Sequence, residues 1–333
     1  MPDILAQISP QRSTQYSNIA RTLAPVELSL SPLGQSLPSI ETLKLGHQKY
    51  LKFSIDDETL SDQTLYELGN LSMTNSFFYY YKELGSIKGP FLKPIEIPNN
   101  HTLPYDFLMT RRYKGKTNEM FTHFLCNVAR YSSSFSRYSW RDLRIFDPLA
   151  GGGTTLFTAL YLGADTAGVE KRSKDVQSTL TFLKQYTKEQ GIPCKLKEER
   201  LKKSIKRFWF TIGTDQQKCL LISGDTADST YLTSGLKKPH CIVTDLPYGI
   251  QHGGQITKLI ANALPEWLSI LLPGGTIVMS WDSSRFSRKE MINLLKGVSS
   301  IRILDGEIYE KIAHRVDRVI KERDVIAGKL ECT

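Results

Sequence analysis

Two short stretches carry residue types able to do chemistry. Phe146 to Thr155, FDPLAGGGTT, follows an apolar strand-like run and opens a helical one. Glycines at such a turn let the backbone approach a ligand that side chains would hold away. The spacing is not G-x-G-x-x-G, and no phosphate-loop Lys follows, so a ligand without phosphates fits better. Thr154 and Thr155 are placed to cap the helix. Glu170 ends the next strand-like run, 23 residues after Asp147. An acidic residue near this offset binds ribose hydroxyls in Rossmann-type sites. Asp225 ends a third run, in ISGDTAD, and a fourth, HCIV, ends in TDLPYG. There Asp245 offers a carboxylate acceptor, and the Leu246 carbonyl, fixed by Pro247, offers a second. Tyr248 offers a ring to stack on, and Gly249 leaves room. An open α/β sheet places its chemistry at the carboxyl ends of its strands.

The elements that must position these residues follow from the apolar pattern. LRIF, DTAGVE, CLLISGD, HCIVTD and TIVMSW alternate with helical stretches such as TTLFTALYLG and LIANALPEWLSILL. That alternation predicts a parallel sheet with helices on both faces. IRILDGEIYEKI and RVDRVIKERDVIAGK predict a closing antiparallel hairpin, with a very short connection near His314 that carries Arg315, Asp317 and Arg318. Upstream, Thr117 is a candidate N-cap for a helix with Phe121, Phe124, Leu125 and Val128 on one face. Residues 1–39, rich in Ser, Pro and Gln, read as a flexible tail. Residues 40–108 read as a small α+β module: KYLKFSI and FLKPIEIP as strands, and SDQTLYELGNLSMTNSFFYYY as one or two helices.

The two motifs carry a resemblance. Asp147-Pro148-Leu149-Ala150-Gly151-Gly152-Gly153-Thr154 resembles the DPxxGxGT motif of amino-methyltransferases, and TDLPYG resembles their (D/N/S)PPY signature. The resemblance implies a Rossmann-like, seven-stranded methyltransferase sheet that uses S-adenosylmethionine. Asp147, Pro148, Ala150, Gly151, Gly153 and Thr154 would cradle the methionine part, Glu170 the ribose and Asp225 the adenine. Asp245, Leu246, Pro247 and Tyr248 would act on an exocyclic amine. Such an amine is a poor nucleophile, and acceptors around its N–H groups stabilise the charge that develops on it. Leu246 stands where DNA enzymes usually carry Pro. DLPYG followed by IQHGG is similar to the RNA methylase family that includes tRNA guanine-N2 methyltransferases, so tRNA or rRNA is the implied partner. The Gly-Thr-Thr ending of the first motif leans instead toward DNA adenine-N6 or cytosine-N4 methylation. A nucleic-acid-binding protein on a borrowed fold is the more distant alternative.

Composition agrees with a polyanionic partner. The 333 residues carry a formal net charge of +9, with 40% hydrophobic and 23% charged residues. Excess positive charge favours phosphate contacts through counterion release. KLKEERLKKSIKRFWF concentrates that charge beside aromatics. It reads either as a backbone-tracking patch built on Lys202, Lys203, Lys206 and Arg207, or as the solvated face of a surface helix. The five scattered cysteines show no metal-ligand spacing, so no metal is expected. No secretory leader or membrane span is expected, and the cytoplasm is the expected compartment.

Overall fold

The computed structural model describes residues 3–11, 14–56, 60–113, 115–202, 205–247, 253–298, 301–316 and 322–331. The chain divides into two compact units, Met1–Asn100 with Asp305–Glu322, and His101–Leu304 with Arg323–Thr333.

The smaller unit begins with β1 (Asp3–Ile8) and α1 (Thr14–Leu30). β2 (Glu41–Leu45), β3 (Gln48–Ser54), α2 (Asp62–Gly69), β4 (Thr74–Leu84) and β5 (Ile87–Ile95) follow. The strands form an antiparallel sheet in the order β2-β3-β1-β4-β5. The flexible tail expected over residues 1–39 is corrected: β1 is the central strand. Its Ile4, Leu5 and Ala6 are fully buried, and that burial offsets the entropy of ordering the segment. The helical reading of TNSFFYYY is corrected as well. Ser61 caps α2 as expected, its hydroxyl accepting from the Thr64 amide, but the aromatic run pairs as β4 between β1 and β5. Phe and Tyr fit a pleated, half-buried surface.

The larger unit holds α3 (Asp106–Thr110), α4 (Glu119–Ser132), β6 (Arg144–Asp147), α5 (Thr154–Leu162), β7 (Asp165–Glu170) and α6 (Ser173–Glu189). β8 (Cys194–Lys202), β9 (Ile205–Ile212), β10 (Gln217–Ser223), α7 (Ser229–Leu232) and β11 (Cys241–Asp245) come next. α8 (Gly253–Ile270), β12 (Thr276–Asp282), α9 (Arg288–Val298) and β13 (Arg302–Leu304) complete the run. The chain then returns to the smaller unit for α10 (Glu307–Glu310) and β14 (His314–Arg315) before β15 (Glu322–Lys329) closes the sheet.

The strand order is β13-β15-β12-β11-β6-β7-β10-β9-β8. β7 and β11 lie parallel on either side of β6, β10 lies parallel beyond β7, and β12 beyond β11. This is the Rossmann-like α/β sheet expected from the alternation, with β13 and β15 as its antiparallel end. Their connection is not the short turn expected, because residues 305–322 leave for the smaller unit. The basic segment is no helix: β8 and β9 form a hairpin whose inner strand pairs antiparallel with β10. Helices α4, α5 and α6 cover one face of the sheet, while α8 and α9 cover the other over Phe146, Ile242 and Met279. The order reverses between β6 and β11, the point where open α/β sheets hold ligands in a crevice beyond the carboxyl ends of their strands. No helix among the described residues is long and apolar enough to cross a membrane.

Candidate functional site

The crevice is built around the turn after β6. Gly151 and Gly153 both have positive φ, 52° and 88°, a region that side chains rarely adopt. A Cβ on Gly151 would meet only the Leu149 carbonyl, at 3.8 Å, so the loop leaves bare backbone beside open space. A Cβ on Gly152 would lie 2.1 Å from the Tyr113 ring. Tyr113 thus backs the loop, its hydroxyl sharing a 2.5 Å hydrogen bond with Thr154 Oγ1. The buried Arg111 guanidinium donates to the Gly152 carbonyl and to Thr179 Oγ1, and stacks over the Tyr113 ring. Gly153, not a threonine, occupies the cap position of α5, so the expected capping by Thr154 and Thr155 is corrected. Pro148 and Ala150 are buried, and the Ala150 amide donates to the Val169 carbonyl.

Two carboxylates bind the backbone of the loop, and a third follows the next strand, β10. Asp147 is 2% exposed and accepts from the Leu149 amide, so it shapes the turn from beneath. Glu170, at the end of β7, accepts from the Gly151 amide at 2.9 Å and the Arg172 amide at 2.7 Å. Asp225 follows β10, accepts from the Ala227 amide and pairs with Lys171 at 2.7 Å. The Lys171 bond holds the Asp225 carboxyl below its ordinary range.

Burial lifts the Asp147 carboxyl to about 6. The Leu149 amide and Thr155 hydroxyl oppose that rise, and the Asp245 charge adds to it. The charge coupling brings the two motifs into one electrostatic site. A raised folded-state value means the fold favours protonated Asp147. The stability this contributes is complete below about 3.8, the value of a free side chain, and is lost as pH rises through about 6. Asp147→Asn keeps an acceptor for the Leu149 amide and carries no charge to bury. Thermal melts from pH 4 to 8 are expected to show the variant gaining on the parent by on the order of 2–3 kcal/mol across that window. Parallel curves would place the titration elsewhere.

Asp245 closes the other wall. Its Oδ2 accepts from the Thr117 hydroxyl at 2.5 Å, its Oδ1 accepts from the Ser280 hydroxyl, and the buried Arg323 Nη2 lies 3.9 Å from Oδ2. Arg323 itself stacks over Phe121, 4.8 Å from the ring centroid. Thr117 was expected to cap α4, but Asn118 does so, leaving the Thr117 hydroxyl for Asp245. Leu246 is buried in the core, its amide donating to the Ser280 carbonyl, and Pro247 is exposed. Tyr248 and Gly249 lie outside the described residues, as do Lys203, Asp317 and Arg318.

Tyr113, Ser280 and Arg323 carry no mark in the sequence, and Thr117 reads there only as a cap; 128 residues separate Thr117 from Asp245. The basic segment is corrected in part. Arg207 is 4% exposed and its guanidinium donates to the Leu232 and Ser234 carbonyls, so it holds the fold instead of meeting phosphate. Lys206 pairs with Glu198, and Lys202 lies over the Tyr231 ring.

No family model matches the chain, and no curated protein matches it. Among solved structures, TrmN from Thermus thermophilus aligns over 99% of this chain and 100% of its own, at 12% identity and a TM-score of 0.48. The rRNA methyltransferase aviRa from Streptomyces viridochromogenes aligns over 69% and 91%, at 11% identity and a TM-score of 0.41. The fibrillarin pre-rRNA processing protein of Methanococcus jannaschii aligns over 89% and 99%, at 11% identity and a TM-score of 0.37. The Rossmann-like α/β fold of this chain follows from its own strand order and glycine turn.

Proposed function

We propose that this chain is an S-adenosylmethionine-dependent methyltransferase acting on an exocyclic amino group of a nucleic-acid base, namely guanine N2 in tRNA or rRNA. One observation carries the reading: Asp245 of TDLPYG, held by two hydroxyls, sits beside β6, whose glycine turn leaves bare backbone at the same crevice. The donor set fits the cofactor, because the next two strand ends carry carboxylates suited to hydroxyls and an amine, Glu170 on the turn itself and Asp225 after β10. Gly151, Gly153 and Thr154 would hold its methionine part, Glu170 its ribose and Asp225 its adenine. The cofactor, when bound, supplies a methyl group on a sulfonium sulfur.

The chain's own residues do the rest. Asp245 accepts from the amine and stabilises the positive charge that develops on its nitrogen. The Leu246 carbonyl is the second acceptor, and Tyr248 is the proposed stacking ring for the base. Position and electrostatics carry the rate. The cytoplasm is the proposed compartment.

The test is methyl transfer from labelled S-adenosylmethionine to total RNA and to DNA, with both digested to nucleosides. N2-methylguanosine from tRNA or rRNA is expected. N6-methyladenine or N4-methylcytosine from DNA would move the substrate to DNA, which the Gly-Thr-Thr ending favours. A chain that neither transfers methyl nor binds cofactor would be a binding protein on a borrowed fold.

A further inference from the structure

A cavity of about 480 Å³ opens at the other end of the same sheet, among Arg144, Asp165, Trp209, Lys218 and Lys237. Arg144 and Asp165 are the first residues of β6 and β7, and Lys218 is the second of β10. The six residues of β7 therefore separate this cavity from Glu170 by roughly 17 Å. Its floor is apolar, formed by Phe146, Ala167 and Leu220, with Trp209 paired in register opposite Leu220. Its rim is basic: Arg144, Lys218, Lys237 and Lys238 against one acid, Asp165. The Lys218 and Lys237 side chains are exposed and have no partner among the described residues. Arg144 donates through Nε to the Lys238 carbonyl, and its Nη2 lies 3.5 Å from His240 Nε2, so it ties the rim to the fold. Charge continues past the cavity on β8, where Lys197 stands in register with Trp209 and Lys195 with Thr211.

An aromatic and aliphatic floor suits a planar apolar body, and the two unpartnered lysines at its rim, Lys218 and Lys237, suit an anion. The volume is that of a small-ligand site. A nucleotide unites these properties, and cations running on along β8 suit a chain of phosphates better than a single one. We infer that this cavity seats one nucleotide of a polynucleotide strand, its base on Trp209 and its neighbouring phosphates on Lys218, Lys237 and Lys197. The inference rests on the reading of nucleic acid as substrate and gives that substrate a second hold, remote from the methyl-transfer crevice.

The experiment titrates a fluorescein-labelled 12-nucleotide single-stranded RNA into the full chain, into Lys218→Gln/Lys237→Gln and into Trp209→Leu, at several salt concentrations. Cofactor binding and RNA methylation are measured in parallel. The double variant changes exposed side chains, so it is the arm least exposed to misfolding. It is expected to lower the salt slope by about 0.7 for each lost contact. Trp209→Leu is expected to weaken binding on the order of 10-fold to 100-fold. Cofactor affinity should stay parental in both. Parental RNA affinity and salt slope in both variants would overturn the inference, and a parent that binds no RNA would do the same. RNA methylation retained alongside those results would leave the proposed function standing. Loss of RNA binding in variants of a chain that methylates no RNA would keep the cavity and remove the function. Displacement of the RNA by GMP alone at low concentration, or equally well by polyglutamate, would overturn the strand in favour of a free nucleotide or an acidic peptide.

Discussion

Asp245→Asn is expected to slow single-turnover methyl transfer by about 10²–10³, or roughly 3–4 kcal/mol of transition-state stabilisation. The carboxylate already takes two hydroxyl hydrogen bonds, from Thr117 and Ser280, with the Arg323 guanidinium nearby. Those contacts fix its orientation before any substrate arrives, and preorganisation gives a charge its catalytic value. Asn keeps the shape and one oxygen, and its amide can donate to a hydroxyl that formerly donated. It cannot stabilise positive charge growing on the amine. Cofactor affinity should therefore remain near parental while the chemical step fails. Thr117→Val removes one strut and leaves the charge, so its loss should be smaller. Rapid-quench turnover beside cofactor titration separates the two effects. A parental rate in Asp245→Asn would remove amine chemistry from this motif, and the binding-protein reading would gain.

Glu170→Ala is expected to weaken S-adenosylmethionine binding by about 3 kcal/mol, on the order of 100-fold. Both carboxylate oxygens strap backbone: one accepts from the Gly151 amide and the other from the Arg172 amide. Alanine would strand two donors at the mouth of the site, and the turn that must fit the cofactor would lose its tie to β7. The proposed ribose contacts would go as well. Glu170→Gln keeps one acceptor oxygen and should lose about half as much free energy. Calorimetry on the folded variants reads this directly. Unchanged affinity in folded Glu170→Ala would take Glu170 out of the site.

The parallel strands were legible because a strand buried on both faces is a nearly unbroken apolar run. CIVTD and TIVMSW announce themselves, and so do the turn and carboxylates at their ends. What failed was whatever depends on partners far along the chain. KLKEERLKK is made of good helix formers, yet it pairs as β8 because β9 and β10 supply a sheet edge. DILAQI is only six residues long, too short to stand out from a Ser- and Pro-rich stretch, and its burial comes from strands 43–51 and 66–77 residues away. The Asp245 struts come from a loop, a strand and the closing strand, each ordinary in its own local sequence.

The return of residues 305–322 to the smaller unit sets an order of events during synthesis. A ribosome that has delivered Met1–Asn100 has released all five strands of that unit's sheet. Helix α1 must still wait for α10 and β14, which pack on it and emerge some 200 residues later. Between those moments the larger unit acquires every strand except β15. The smaller unit is therefore completed by a segment that lies in sequence between β13 and β15, and final assembly of both units waits for residues 305–329.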